Sequence, residues 1–150
     1  LKLRLPPPVV PLIIGAAMWS LSLVAPPLAV RAPLSTSLAI ALALAGVGAS
    51  VAGTLAFRRA RTTVNPMKPG KASSLVTSGI YRMTRNPMYV GLTLLLVGWA
   101  AYLVNAWSAL GPVVFVAYMT RFQIKAEERA LRALFGEQYV TYTTKVRRWL

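Results

Sequence analysis

The stretch Asn86–Thr120, NPMYVGLTLLLVGWAAYLVNAWSALGPVVFVAYMT, carries no charged residue over 35 positions. As a single helix it would extend roughly 52 Å, far beyond a hydrocarbon core about 30 Å thick. It therefore has to fold back. Asn105 is the strongly polar residue in its middle, so the reading is two spans, at about 88–104 and 106–121, joined by a tight turn with Tyr102 and Trp107 at the headgroup level. Gly111-Pro112 is a site for a kink in the second of them.

Two more charge-free runs lie upstream, Val9–Val30 with 22 residues and Ala32–Phe57 with 26. Each is long enough to cross a bilayer, which takes about 20 helical residues. Pro26-Pro27 should end the first helix near Ala25, and it sits where small residues would mark a signal-peptide cleavage site, so the run reads as a span. The expected fold is all-α and integral to a membrane. It is one domain over 1–150, with four spans at about 9–30, 35–57, 88–104 and 106–121.

Charge then sets the orientation. The chain has 17 Lys plus Arg against 3 Asp plus Glu, a net charge of +14. Such an excess raises nucleic acid as a partner, but the long apolar runs place the chain in a bilayer and no nucleic-acid partner is expected. Lys2 and Arg4 precede the first span, seven basic residues lie between Arg58 and Arg85, and seven more between Arg121 and Arg148. Four spans put all three groups on one face, with Arg31 alone opposite; by the positive-inside rule that face is cytoplasmic. The expected location is the cell membrane, multi-pass.

The same composition removes much of the usual catalytic repertoire. Without His or Cys the chain has no zinc or iron–sulfur ligation, no disulfide, no Cys nucleophile and no Ser-His-Asp triad. No metal site is expected.

Two cytoplasmic segments exceed what linkers need. The loop 58–87 holds turn signals at Asn65-Pro66, Pro69-Gly70, Ser78-Gly79 and Asn86-Pro87, and a connection of that length is usually functional or disordered. One reading is a polybasic loop that attracts anionic lipid headgroups. The other segment, about Arg121 to Phe135, reads as an amphipathic helix ended by Gly136. At 100° per residue Glu127 falls between Leu131 and Leu134, and Glu128 between the apolar stripe and the basic edge. Two of the three acids thus point toward membrane or bundle, where a carboxylate is costly unless it meets cations or several donors. Either it forms an internal ion pair, Glu128 with Arg132 or Glu127 with Arg85, or it holds a cationic or hydroxyl-rich ligand. In the second span Gly46-Val47-Gly48 stands among Ala45, Ala49, Ser50 and Gly53. Ala45, Ala49 and Gly53 form a small-residue row suited to close helix packing; a ligand edge against bare backbone is the other reading.

The runs Leu75-Val76-Thr77-Ser78-Gly79-Ile80-Tyr81-Arg82, Arg85-Asn86-Pro87-Met88-Tyr89-Val90-Gly91, Glu127-Glu128 and Phe135-Gly136-Glu137-Gln138-Tyr139 together resemble a known family. They are similar to the integral-membrane methyltransferases that include the isoprenylcysteine carboxyl methyltransferases and the phosphatidylethanolamine N-methyltransferases. The resemblance runs from about Thr62 to the C-terminus. It implies S-adenosylmethionine as cofactor, bound at the cytoplasmic face, and a membrane lipid or lipidated molecule as acceptor. Glu127 and Glu128 resemble the family's paired acids, Gly46 and Gly48 the Gly-x-Gly of its phospholipid enzymes, and Arg85, Asn86, Pro87, Tyr89 and Gly91 the loop that wraps the cofactor. Many relatives have His where this chain has Asn86.

The chemistry fits those residue types. Buried carboxylates suit the cofactor's ammonium or ribose hydroxyls, Arg85 or Arg82 its carboxylate, and Tyr81, Tyr89 or Tyr139 its sulfonium or adenine. Glu128, Arg85 and Asn86 are the residues expected to carry catalysis. A prenylcysteine-like carboxylate is already nucleophilic, whereas a phospholipid amine must lose a proton, for which Glu128 or Glu137 is a candidate base. Two alternatives stand beside this one: a nicotinamide-dependent enzyme like the membrane sterol reductases, and a non-enzymatic anionic-lipid scaffold.

Overall fold

A computed structural model describes residues 5–60 and 74–150. Lys2, Arg4, Arg61, Lys68, Lys71 and the turn signals at Asn65-Pro66 and Pro69-Gly70 lie outside the described residues. Every regular element among the described residues is helical: α1 Val9–Ser22, α2 Ala32–Arg59, α3 Pro87–Leu103, α4 Leu110–Tyr118, α5 Lys125–Phe135 and α6 Glu137–Lys145. Short 3₁₀ turns occupy Gly79–Arg82 and Trp107–Ala109.

Local chemistry explains most boundaries. Pro33 and Pro87 sit in the first turns of α2 and α3, where a missing N–H costs nothing. Arg58 and Arg59 close α2, where cations oppose the carbonyl end of the dipole. The first helix stops at Ser22, three residues short of the expected Ala25 and well short of Val30, and hydroxyls of Ser20 and Ser22 bond back to Ala16 O and Trp19 O. At the expected hairpin, Val104 ends α3 at φ 50°, a left-handed conformation that costs a β-branched residue strain. Buried Asn105 holds the turn: its Nδ2 donates to Ala25 O at 3.3 Å and its Oδ1 accepts from Trp107 N at 2.8 Å. Tyr102 and Trp107 are exposed beside it.

The expected span 106–121 is only the first part of a longer helical run. Trp107–Ala109, α4, a π-helical turn at Met119–Ile124 and α5 follow one another without a break to Phe135. A π turn adds a residue to the ladder and turns the downstream face, so α5 inherits its direction from α4. That direction carries Glu127 and Glu128 toward the end of α3.

α3 is the centre of the molecule and α2 its closest neighbour. A Cβ at Gly46 would lie 2.6 Å from Gly91 O, one at Gly91 would strike Gly46 O at 2.5 Å, and one at Gly98 would meet Ala39 O at 3.0 Å. The packing row on α2 is therefore Gly46, Ser50 and Gly53, which replaces the expected Ala45, Ala49 and Gly53 row; Ala45 is exposed. A seven-residue interval separates Gly46 from Gly53 and Gly91 from Gly98, so the two backbones stay close over two helical turns on each side. On the other flank of α3, Trp99 Nε1 donates to Gly15 O at 3.0 Å, and Met18 of α1 fills the space that a side chain at Gly111 would need.

The outer faces are apolar. Leu12, Ile13, Trp19, Leu34, Leu38, Leu44, Val47, Val51, Val113 and Val114 are all exposed. Among the described residues α2 alone is long and apolar enough to cross a membrane by itself, and α1 and α3 are shorter apolar helices. Between α1 and α3 lies an open apolar groove of about 680 Å³, lined by Pro8, Pro11, Leu12, Gly15, Ala16, Trp19, Leu92, Leu95, Leu96 and Trp99.

Candidate active site

The site is assembled at one end of α3 from three pieces distant in sequence. The turn Thr84-Arg85-Asn86 leads into α3, where Tyr89 lies in the first turn. The π turn and α5 bring Gln123, Glu127 and Glu128. α6 and the segment after it bring Tyr139 and Arg148.

Among the described residues Glu127 accepts short hydrogen bonds from the Tyr89 hydroxyl at 2.6 Å and from Gln123 Nε2 at 2.6 Å. Glu128 is held by two cations: Arg148 Nε and Nη2 donate to its two oxygens at 2.8 and 2.9 Å, and Arg85 Nη1 donates to Oε1 at 3.1 Å. Arg85 Nη1 also donates to the Tyr139 hydroxyl at 3.3 Å, while its buried Nε has no hydrogen-bond partner among the described residues. The expected alternatives, Glu128 with Arg132 by helical spacing or Glu127 with Arg85 across helices, give way to this arrangement. Rotated by the π turn, α5 puts Glu128 and not Glu127 against Arg85, and Arg132 stays exposed.

The remaining motif residues have other partners. Asn86 Nδ2 donates to Arg148 O at 2.8 Å, and Arg85 N donates to Arg147 O at 3.0 Å. Tyr81 packs edge-on against Phe57 at 5.4 Å between ring centres, beside Ala56 and Val76, and its carbonyl accepts from the Tyr142 hydroxyl at 2.7 Å. Pro87 lies under Gly53, and Gly91 against Gly46, so Pro87, Gly91 and Gly46 belong to the α2–α3 contact. Gly48 is exposed, and a Cβ there meets nothing within 4 Å. Arg82 and Glu137 are exposed.

Burial raises the Tyr139 and Tyr81 phenols above the usual tyrosine range; beside Tyr139 the Arg85 hydrogen bond opposes the rise, and beside Tyr81 the charges of Tyr142 and Glu127 add to it. Both stay protonated as donors at neutral pH. The hydrogen bond to Glu128, ahead of the opposing effect of burial, raises the Arg148 guanidinium above its ordinary value, so Arg148 keeps its positive charge across the physiological range.

Sequence reasoning reaches Arg85, Tyr89, Glu127, Glu128 and Tyr139, which the structure gathers into two neighbouring hydrogen-bond networks, one on Glu127 and one on Glu128. It misses Gln123 and Arg148. Gln123 stands four residues before Glu127, a spacing that pairs side chains on a helix and was available as a signal. Arg148 was one of seven basic residues in the C-terminal group, with no spacing to single it out.

A family profile described as Phospholipid methyltransferase matches residues 34–138, which takes in all but the first two residues of α2, together with α3, α4, the π turn and α5. An uncharacterized protein of Haemophilus influenzae is 43% identical over 63 residues, 42% of this chain and 100% of that protein. Protein-S-isoprenylcysteine O-methyltransferase B of Arabidopsis thaliana is 39% identical over 72 residues, 48% of this chain and 36% of the plant protein. A probable protein-S-isoprenylcysteine O-methyltransferase of Oryza sativa subsp. indica is 39% identical over 75 residues, 48% of this chain and 38% of its own length. This chain thus spans little more than a third of either plant protein. With a match over more than half its length, the chain belongs to the phospholipid methyltransferase family.

Proposed function

We propose that the protein is an integral-membrane methyltransferase that uses S-adenosylmethionine to methylate a lipophilic acceptor at the cytoplasmic membrane interface. The observation that carries this reading is the meeting of Arg85, Tyr89, Glu127, Glu128 and Tyr139 at the end of α3, with the apolar groove beginning one helical turn away at Leu92. Polar binding groups and an apolar track are adjacent, as a charged cofactor and a lipid-borne acceptor require. The four-span arrangement, with both ends and the loop 58–87 in the cytoplasm, belongs to the same proposal. It rests on the basic-residue distribution and on the apolar outer faces of α1, α2 and α4.

The donor set fits the cofactor. Glu127 would accept from the ammonium or ribose hydroxyls. Arg85, whose buried Nε has no hydrogen-bond partner among the described residues, would take the carboxylate. Tyr139, kept protonated, would donate or stack. When bound, S-adenosylmethionine supplies a methyl carbon on a sulfonium sulfur, which keeps the electron pair as the acceptor's lone pair takes that carbon. The protein's part is to align the groups and exclude water. Because both oxygens of Glu128 are taken by arginines and Glu137 is exposed, neither is well placed as a base. That favours an acceptor that needs none, a carboxylate of the prenylcysteine kind, and the identity with plant O-methyltransferases agrees.

Labelled S-adenosylmethionine offered with a prenylcysteine analogue, phosphatidylethanolamine, its partly methylated forms and chain-free analogues of each tests the proposal. Transfer should favour chain-bearing acceptors, because each buried methylene adds roughly 0.8 kcal/mol that can position the head. Equal turnover of chain-free compounds would refute entry from the bilayer, and preference for the amine would refute the carboxylate assignment.

A further inference from the structure

Beyond the family-matched stretch, which ends at residue 138, the segment Val146–Leu150 lies across the site and ties its halves together. Arg147 O and Arg148 O accept from Arg85 N and Asn86 Nδ2 at 3.0 and 2.8 Å. Trp149 Nε1 donates to Thr120 Oγ1 on the π turn at 3.1 Å. The Arg148 side chain reaches Glu128 on α5. One short segment thereby joins the loop before α3, the π turn and α5.

Its placement decides what Arg85 can do. A guanidinium and a carboxylate left to themselves form a two-bond fork. Here Arg148 takes that fork, one donor to each Glu128 oxygen, and Arg85 keeps a single bond to Oε1. Arg85 Nε, buried beside this pair, has no hydrogen-bond partner among the described residues. We propose that Arg148 is a positioning residue: by occupying both Glu128 oxygens in a fork it keeps Arg85 from forming that fork itself and leaves the Arg85 guanidinium presented to a ligand carboxylate. Asn86, which fixes the Arg148 backbone, serves the same end, so its place in the motif is explained by the segment it anchors.

This inference rests on the cofactor reading above and separates from it by a matched pair of ligands. Decarboxylated S-adenosylmethionine keeps the adenosine, sulfonium and ammonium and lacks the carboxylate. Titration calorimetry of the detergent-solubilised full chain with both compounds should show a preference for the carboxylate form. In Arg148→Gln that preference should fall about tenfold, roughly one charge-assisted bond, while affinity for the decarboxylated form is retained. Arg148→Lys, which keeps the charge and loses the fork, should show a smaller selective loss and serves if the Gln variant fails to fold. Parallel weakening of both ligands would mean a merely structural role and overturn the inference, as would an unchanged preference. If the wild-type chain binds neither compound, the cofactor reading itself fails and this inference falls with it; binding of both without a preference defeats the inference alone.

Discussion

The Tyr89 hydroxyl donates a 2.6 Å hydrogen bond to the Glu127 carboxylate, joining the first turn of α3 to the first turn of α5 across 38 positions of sequence. The bond fixes the direction of one of two acids that composition alone would have kept out of an apolar helix face. Gln123, one turn upstream, adds a second donor from within the same helical run.

Tyr89→Phe should therefore retain the fold and lose ligand affinity, because Glu127 loses a donor and its orientation; the expected cost is about 1–3 kcal/mol in S-adenosylhomocysteine binding. Glu127→Gln should weaken the same binding with little change in melting temperature. Glu128→Gln should behave differently. It strips two arginines of their anion, so melting should fall by the equivalent of about 2 kcal/mol, a buried-pair cost discounted for the partial exposure of Arg148. Melting curves and titrations on the three variants check the contrast.

How far the sequence carried depended on the range of the forces. Periodicity and charge-free length placed α2 and α3 within a few residues and put the turn at Asn105, because each depends on local propensity and on a single polar residue seeking partners. The partners of Glu127 and Glu128 were not legible. They follow from a π turn at Met119–Ile124 that no local signal announces, and from a C-terminal segment whose place is set by hydrogen bonds to Arg85 and Asn86. The glycine row was half legible: small residues on α2 announced close packing, but which of its faces meets α3 depends on Gly91 and Gly98.

Two glycines two residues apart on α2 should answer oppositely to the same change. Gly46→Ala sets a Cβ 2.6 Å from Gly91 O and should cost about 1–3 kcal/mol by overpacking. Gly48→Ala, with open space around it, should be neutral or stabilising by up to about 1 kcal/mol from helix propensity. Melting temperatures in one detergent decide it. A loss of S-adenosylhomocysteine affinity in Gly48→Ala with the fold intact would instead give that glycine a role in binding.

The orientation has a direct check on a chain without cysteine. Thr77→Cys, exposed in the segment before α3, should resist an impermeant thiol reagent applied to intact cells and react after permeabilisation. Arg31→Cys, exposed at the start of α2, should react in intact cells. The reverse pattern would invert the topology.

The central claim is that the networks around Arg85, Glu127 and Glu128 form an S-adenosylmethionine site, and ligand-induced stabilisation tests it most directly. Purified protein would be melted with S-adenosylhomocysteine and, separately, with NADPH. S-adenosylhomocysteine at about 100 times its dissociation constant should add roughly 2.7 kcal/mol, an effect that Glu127→Gln diminishes, while NADPH leaves the melt unchanged. Stabilisation by NADPH alone, or by neither ligand, would contradict it.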